Sequence, residues 1–278
     1  MSAVRTRDGV VALVIAAGGL SCAHVVPLYR PAEVCSEDEA AGVADTPAAL
    51  IEDAENGGNQ IVVHDGRNGF VYTFVDQDSD LTGGATLAGY RPSPILGGAN
   101  GSRCAWNMRG KLSDGRLAFV GLGMNMLDRK RAYDASGFTG VSFFARRGPG
   151  SSAVVRVHLT DWNTDPDGHL CRQCYNDFGA NIVVTEAWTK YTLPFETLAQ
   201  LPGWGDPRPP RLDAARLFGI QFRVMQRGEP FDIWIDDVAF IEAPPSAAPP
   251  SAAPPSAAPP SAAPPSAAPP PAPSPPPG

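Results

Sequence analysis

Two short stretches carry most of the chemistry-bearing side chains of this chain. In residues 155–160, Val155, Val157 and Leu159 alternate with Arg156, His158 and Thr160. In residues 220–225, Ile220, Phe222 and Val224 alternate with Gln221, Arg223 and Met225. Period-two alternation sends the apolar set to one side of a half-buried strand and the polar set to the other. If the two strands are neighbours, Arg156, His158, Gln221 and Arg223 share one polar face, with Asn107 on a third strand. Guanidinium forks suit vicinal hydroxyls, and an aromatic ring such as Tyr72 can stack on a sugar. Phe144 and Trp162 are further candidate platforms, although such rings serve as often in core or loop packing, and outward arginine is often only solubilising.

Carboxylates form a second set. Glu52, Asp53 and Glu55 open the apolar pattern, and Asp236 and Asp237 sit in the last strand-like run. Asp236 is expected to share an inward face with Trp234 and Val238. A buried carboxylate needs compensation, which a structural calcium shared with Glu55 would supply, Asp53 and Asp237 being secondary ligands. Hydrogen bonds from loop amides are the plainer alternative. Asn163, Asp165, Asp167 and Gly168 match the first half of a calcium loop, but Cys174 stands where the bidentate Glu belongs, so a turn capped by Asp and Asn is the preferred reading. His158, His169, Cys171 and Cys174 contain only half of a zinc motif. The nucleophile elbow, the phosphate-binding Gly-Lys loop and the alternating Glu/Asp strand of sandwich glycosidases are all missing.

The elements that must position these groups lie between two segments of different character. Arg5 and Arg7 precede an apolar run that stops at Ser21 and Cys22, the layout of an export signal over residues 1–22. Cys22 reads as a lipidated residue, although Leu20 stands two residues before it where a lipobox has Leu three before. Export makes the compartment oxidising. With Cys22 acylated, four cysteines remain, and the pairs Cys171–Cys174 and Cys35–Cys104 are expected. Residues 23–48 read as a flexible acidic tether and 49–242 as the folded domain. In residues 243–278 the unit Pro-Pro-Ser-Ala-Ala repeats five times, a composition that cannot build a core and favours polyproline II. A net charge of −7 without any Lys/Arg run argues against nucleic acid, and no apolar stretch is long enough to span a bilayer. The expected location is the outer membrane or cell surface through the lipid anchor, or otherwise secretion.

Within the domain, strand signals dominate: residues 70–75, 103–112, 116–124 and 141–146, the two polar-faced stretches, and a final strand in which Trp234, Val238 and Phe240 share one face. Helical pattern is confined to one or two turns near 213–218. The fold class is all-β, an antiparallel sandwich or jelly roll.

The ordered motifs carry a resemblance. Residues 50–57 precede 66–74; residues 133–143, 155–161 and 188–195 follow, and 218–222 and 231–238 close the series. Together they resemble the galactose-binding-like jelly rolls, nearest to the family-eleven carbohydrate-binding modules, and are similar to exported, often lipid-anchored, single-domain versions in myxobacteria. The resemblance implies non-catalytic β-glucan binding with a structural calcium, although no catalytic domain accompanies these motifs here. The leading expectation is therefore a polysaccharide-binding module. A structural or interaction lipoprotein whose tail engages the wall or a protein comes second, and a β-glucan hydrolase third.

Overall fold

The computed structural model describes Cys35, residues 47–85 and residues 89–244. The export segment with Cys22, most of the tether and nearly all of the tail lie outside the described residues.

Among the described residues the chain forms an antiparallel β-sandwich of twelve strands: β1 Leu50–Glu52, β2 Val71–Val75, β3 Asp80–Leu81, β4 Ser93–Pro94, β5 Cys104–Lys111, β6 Val120–Asn125, β7 Phe138–Arg147, β8 Val154–Asp161, β9 Phe178–Val183, β10 Thr189–Pro194, β11 Leu217–Val224 and β12 Pro230–Glu242. One sheet runs β10-β7-β12-β5-β3, with β1 paired to β12 and β4 to β5; the other runs β2-β6-β11-β8-β9. The alternation read from the sequence fills the space between them. Val155, Val157 and Leu159 of β8 and Ile220, Phe222 and Val224 of β11 are all buried, as are Phe143 of β7 and Trp106 of β5. Phe143 meets Phe222 edge-on across the interlayer space at 5.0 Å between ring centres, an arrangement that adds about 1 kcal/mol to the burial of the two rings.

Two details depart from the sequence expectation. The register of β12 shifts between Asp236 and Ala239, with Asp237 in the left-handed region at φ 47°. This bulge turns Val238 and Phe240 into the core beside Ile233 and Ile235, so Trp234 does not share their face. Asp236 keeps the parity of Trp234, and its burial comes from outside the interlayer core. Period-two reading breaks at such an inserted residue. Residues 116–119 also stay out of strand. A turn closes from the Gly115 carbonyl to the Ala118 amide (3.0 Å), and the Phe119 amide donates to Asp76 Oδ2 (2.6 Å) instead of to a ladder. Near 214 there is one 3₁₀ turn, Ala214–Arg216.

The start of the domain is held by a buried arginine. Arg67 Nη2 donates to the Ala48 and Leu50 carbonyls at 2.6 and 2.9 Å, and Nη1 to Tyr133 Oη at 2.9 Å. The Cys35–Cys104 disulfide ties the tether to β5, with Cα atoms 6.0 Å apart. Cys171 and Cys174 are also bonded, which removes both sulfurs as zinc ligands.

Candidate functional site

The outer face of the second sheet collects five of the expected residues in two adjacent rows. One row crosses Tyr72, Gly123, Gln221, His158 and Gly179 on β2, β6, β11, β8 and β9; the next crosses Phe74, Gly121, Arg223, Arg156 and Asn181. The strands carrying the two arginines are hydrogen-bonded neighbours, and Arg156 stands directly opposite Arg223. Tyr72 belongs to the same face, so five of the six expected ligand residues gather there. Asn107 does not. It lies on β5 in the other sheet, where its Nδ2 donates to Asp232 Oδ1 at 2.8 Å and to the Ile233 carbonyl at 3.2 Å.

Two glycines of β6, outside the expected site residues, shape this face. A Cβ on Gly123 would stand 2.4 Å from Tyr72 Cζ, and one on Gly121 would stand 2.5 Å from Phe74 Cζ. Both rings therefore lean over β6, tilted 42° to each other, in space that a side chain there would occupy. Tyr72, Phe74 and Phe119 continue as a row with centroids 6.2 and 6.3 Å apart. The alternation of Val120, Leu122 and Met124 with glycine was the available signal. A strand that gives up side chains on one face leaves room there for a neighbour or a ligand.

The polar groups are held from behind. Gln221 Nε2 donates to Tyr72 Oη at 2.8 Å, and burial pushes that phenol up to about 12, so it stays neutral with its proton available to donate. His158 Nδ1 is 3.1 Å from Asp177 Oδ2, and Asp177 Oδ1 accepts from Thr164 Oγ1 at 2.6 Å. A ring nitrogen facing a carboxylate carries the proton, so His158 Nε2 is the acceptor in the neutral ring; it is buried and has no partner. Arg156 is only 7% exposed, and its Nη2 donates to the carbonyls of Asp177 (3.3 Å) and Ala199 (2.6 Å). Arg223 Nη2 donates to the Ala118 carbonyl at 3.2 Å, and its guanidinium lies 5.9 Å from the Phe119 ring centre. Cavities of about 530 Å³ (Ser136, Asn163 and residues 209–215) and about 510 Å³ (residues 94–97 and 101–103) take no residue from this face. The face is a shallow platform with aromatic rings along one side and nitrogen donors along the other.

The neighbouring acidic loop is a turn. Asp161 Oδ1 accepts from the Asn163 and Thr164 amides, both at 3.0 Å, and its Oδ2 from the Asp213 amide at 2.8 Å. Asp165 and Asp167 pair with Lys130 at 2.8 and 3.1 Å. Trp162 stacks on Phe218 at 5.8 Å, under Arg216. Phe144 faces outward on the opposite sheet, with Lys190 5.8 Å from its ring centre.

The expected calcium ligands lie around the β12 bulge. Asp236 is fully buried; desolvation first, then Asp237, pushes its carboxyl up to about 8, and Oδ2 has no partner. Asp53 and Asp237 are raised as well, each by burial first and each also by Glu55. Glu55 itself is engaged: Oε1 accepts from the Arg103 and Cys104 amides at 2.8 and 2.9 Å, and Oε2 pairs with Arg103 Nε at 3.1 Å. Asp237 Oδ2 accepts from Asn100 Nδ2 at 2.7 Å. Glu52 belongs to the same corner. It is fully buried, raised to about 8 by burial and then by Asp53, and Oε2 is unpartnered although Oε1 accepts from the Ala54 amide and Trp106 Nε1. Among the described residues no three His, Cys, Asp or Glu side chains converge as a metal-holding group. The donors at this corner are carboxylates, the type calcium takes, and one Asp236 oxygen is unpaired, but they do not converge and Glu55 is committed to amides.

No family model and no curated protein matches the chain. Among solved structures, a family 11 carbohydrate-binding module from Clostridium thermocellum, in complex with a β-1,3-1,4-mixed-linked tetrasaccharide, is 13% identical with a TM-score of 0.49, covering 70% of this chain and 95% of that one. A family 30 module of a cellulosomal cellulase from the same organism is 10% identical with a TM-score of 0.45, covering 70% and 96%. A module called TmCBM61, in complex with β-1,4-galactotriose, is 12% identical with a TM-score of 0.33, covering 62% and 88%.

Proposed function

We propose that this chain is a non-catalytic polysaccharide-binding module, and that the outer face of the second sheet is its binding surface. One observation carries the reading: the rings of Tyr72 and Phe74 lean over Gly123 and Gly121, tilted 42° to each other, beside a strand that presents Gln221 and Arg223. Such rings offer an apolar surface to the faces of pyranose rings, and the amide and guanidinium groups beside them offer fixed donors to the hydroxyls. Such a shallow surface exchanges good water hydrogen bonds for protein ones, so affinity in the micromolar to millimolar range is expected, about 4–8 kcal/mol. A β-glucan is the chain type proposed first. Calorimetric titration with a mixed-linkage β-glucan oligosaccharide should show saturable heat, and the absence of heat with every polysaccharide would overturn the reading.

The proposal extends to three supporting features. Export with lipidation at Cys22 would hold the module at the membrane surface. A structural calcium at Asp236, with Asp53 and Asp237 as further ligands, would relieve a buried carboxylate that now has an unpaired oxygen. Glu55 positions the Arg103 and Cys104 amides instead of binding the ion. A purely structural surface lipoprotein is the second reading, favoured by the way Arg156 is plugged by the Asp177 and Ala199 carbonyls.

A further inference from the structure

The two arginines of the binding face lack something that buried cations normally have. Arg156 is buried, Arg223 is partly buried, and they stand opposite each other on adjacent strands. Like charges directly opposite in a sheet repel. Yet among the described residues neither reaches a carboxylate within ion-pair distance, and their hydrogen bonds go only to backbone carbonyls: Asp177 and Ala199 for Arg156, Ala118 for Arg223. Asp177, whose charge acts on both arginines from beyond ion-pair distance, is hydrogen-bonded to His158 and Thr164. Nε and Nη1 of both arginines make no hydrogen bond, and none of these four atoms is fully buried. Arg227 adds to the positive field at Arg223, and the more distant charges of Asp177 and Asp76 offset it in part. All this occurs in a chain of net charge −7, which has carboxylates to spare for pairing.

Nε–H and Nη1–H of one guanidinium diverge, but one open N–H from each arginine can meet one oxygen of a carboxylate lying between them, and its charge would offset their repulsion. Hydroxyls can accept from the same donors but bring no opposing charge. We propose that the face takes an acidic polysaccharide, with a uronic acid carboxylate seated between Arg156 and Arg223. This rests on the face being the polysaccharide site, and it names the chemistry of the chain bound there.

The test compares three polymers on the full-length protein by calorimetry: a β-1,4-linked polyglucuronate, the same polymer with its carboxyls reduced to alcohols, and a neutral mixed-linkage β-glucan. The polyuronate is expected to bind at least tenfold more tightly than its reduced form at low salt, and the advantage should shrink as salt rises. Because the protein is acidic, its net charge repels a polyanion, so non-specific electrostatics cannot produce this result. In Arg223→Gln the ratio between acidic and reduced polymer should fall to near one; Arg223→Lys, which keeps the charge and loses the fixed planar donors, should restore only part of it. Equal affinity for the acidic and reduced polymers would overturn the carboxylate proposal while leaving the polysaccharide face intact. Binding of none of the three would overturn the underlying reading of the face.

Discussion

Gly123→Ala separates the aromatic platform from the rest of the fold. All three nearest atoms to the added methyl belong to the Tyr72 side chain: Cζ at 2.4 Å, Oη at 2.5 Å and Cε1 at 2.8 Å. Ordinary contact needs about 3.5 Å, so the ring must lift by roughly 1 Å. That movement breaks the 2.8 Å bond from Gln221 to Tyr72 Oη, a loss of about 1 kcal/mol. The gain in backbone entropy from glycine to alanine offsets about 0.5–1 kcal/mol. Net stability should change by no more than about 1 kcal/mol, a shift of a few degrees in Tm. Binding should suffer more. A sugar covering ~40 Å² of that ring gains about 1 kcal/mol at ~25 cal/mol per Å². The displaced Gln221 costs about another 1 kcal/mol, so affinity should fall roughly thirtyfold. Parallel melts and calorimetric titrations would measure both effects. Adding Tyr72→Ala removes the clash, so the double variant should bind little worse than Gly123→Ala alone. Wild-type affinity in Gly123→Ala would refute the reasoning, as would a collapse in stability matching the loss of binding.

Other consequences are open to direct measurement. If calcium sits at Asp236, chelator should lower Tm and added calcium should restore it, and Asp236→Asn should melt at one temperature in either condition; an unchanged wild-type melt with no metal by elemental analysis rules the ion out. In chelator, Glu52 and Asp236 should make stability fall as pH rises from about 4 to about 8, because the unfolded carboxyls ionise first while the folded ones hold their protons to about 8. A stability curve flat across that window contradicts their burial. The Cys35–Cys104 bond closes a loop of 69 residues, so replacing both cysteines by serine should cost about 4 kcal/mol in denaturant unfolding, more than removing Cys171–Cys174 with its separation of 3. Cys22→Ala should move the protein from the membrane fraction to the soluble fraction, and retention in the membrane would contradict lipid anchoring.

The fold was legible because β8 and β11 keep strict alternation through Val155–Val157–Leu159 and Ile220–Phe222–Val224, and every one of those residues is buried. The site was legible as far as those strands are neighbours. Periodicity cannot report which sheet a strand joins, and so Asn107 was grouped with Arg156 although it packs on Asp232 in the opposite layer. It also cannot foresee an inserted residue, and the bulge at Asp237 reversed the assignment of Trp234. Side-chain restraint was equally invisible. Arg156 and His158 point outward yet are 7% and 6% exposed, because loop residues Asp177 and Ala199 fold back over them. Substituting Arg156 is therefore expected to cost stability as well as binding, and Arg223 is the cleaner probe. Gly121 and Gly123 were passed over because a glycine in a strand pattern reads as weakness unless the ring lying on it is known.

The most direct measurement of the central claim is amide chemical-shift mapping on isotope-labelled protein during titration with a mixed-linkage β-glucan oligosaccharide or a polyuronate fragment. The account predicts saturable shifts concentrated at Tyr72, Phe74, Gly121, Gly123, Gln221 and Arg223, with the outer face of the other sheet, around Asn107, Phe144 and Trp234, unmoved. Shifts confined to that opposite sheet, or none at saturating sugar, would contradict it.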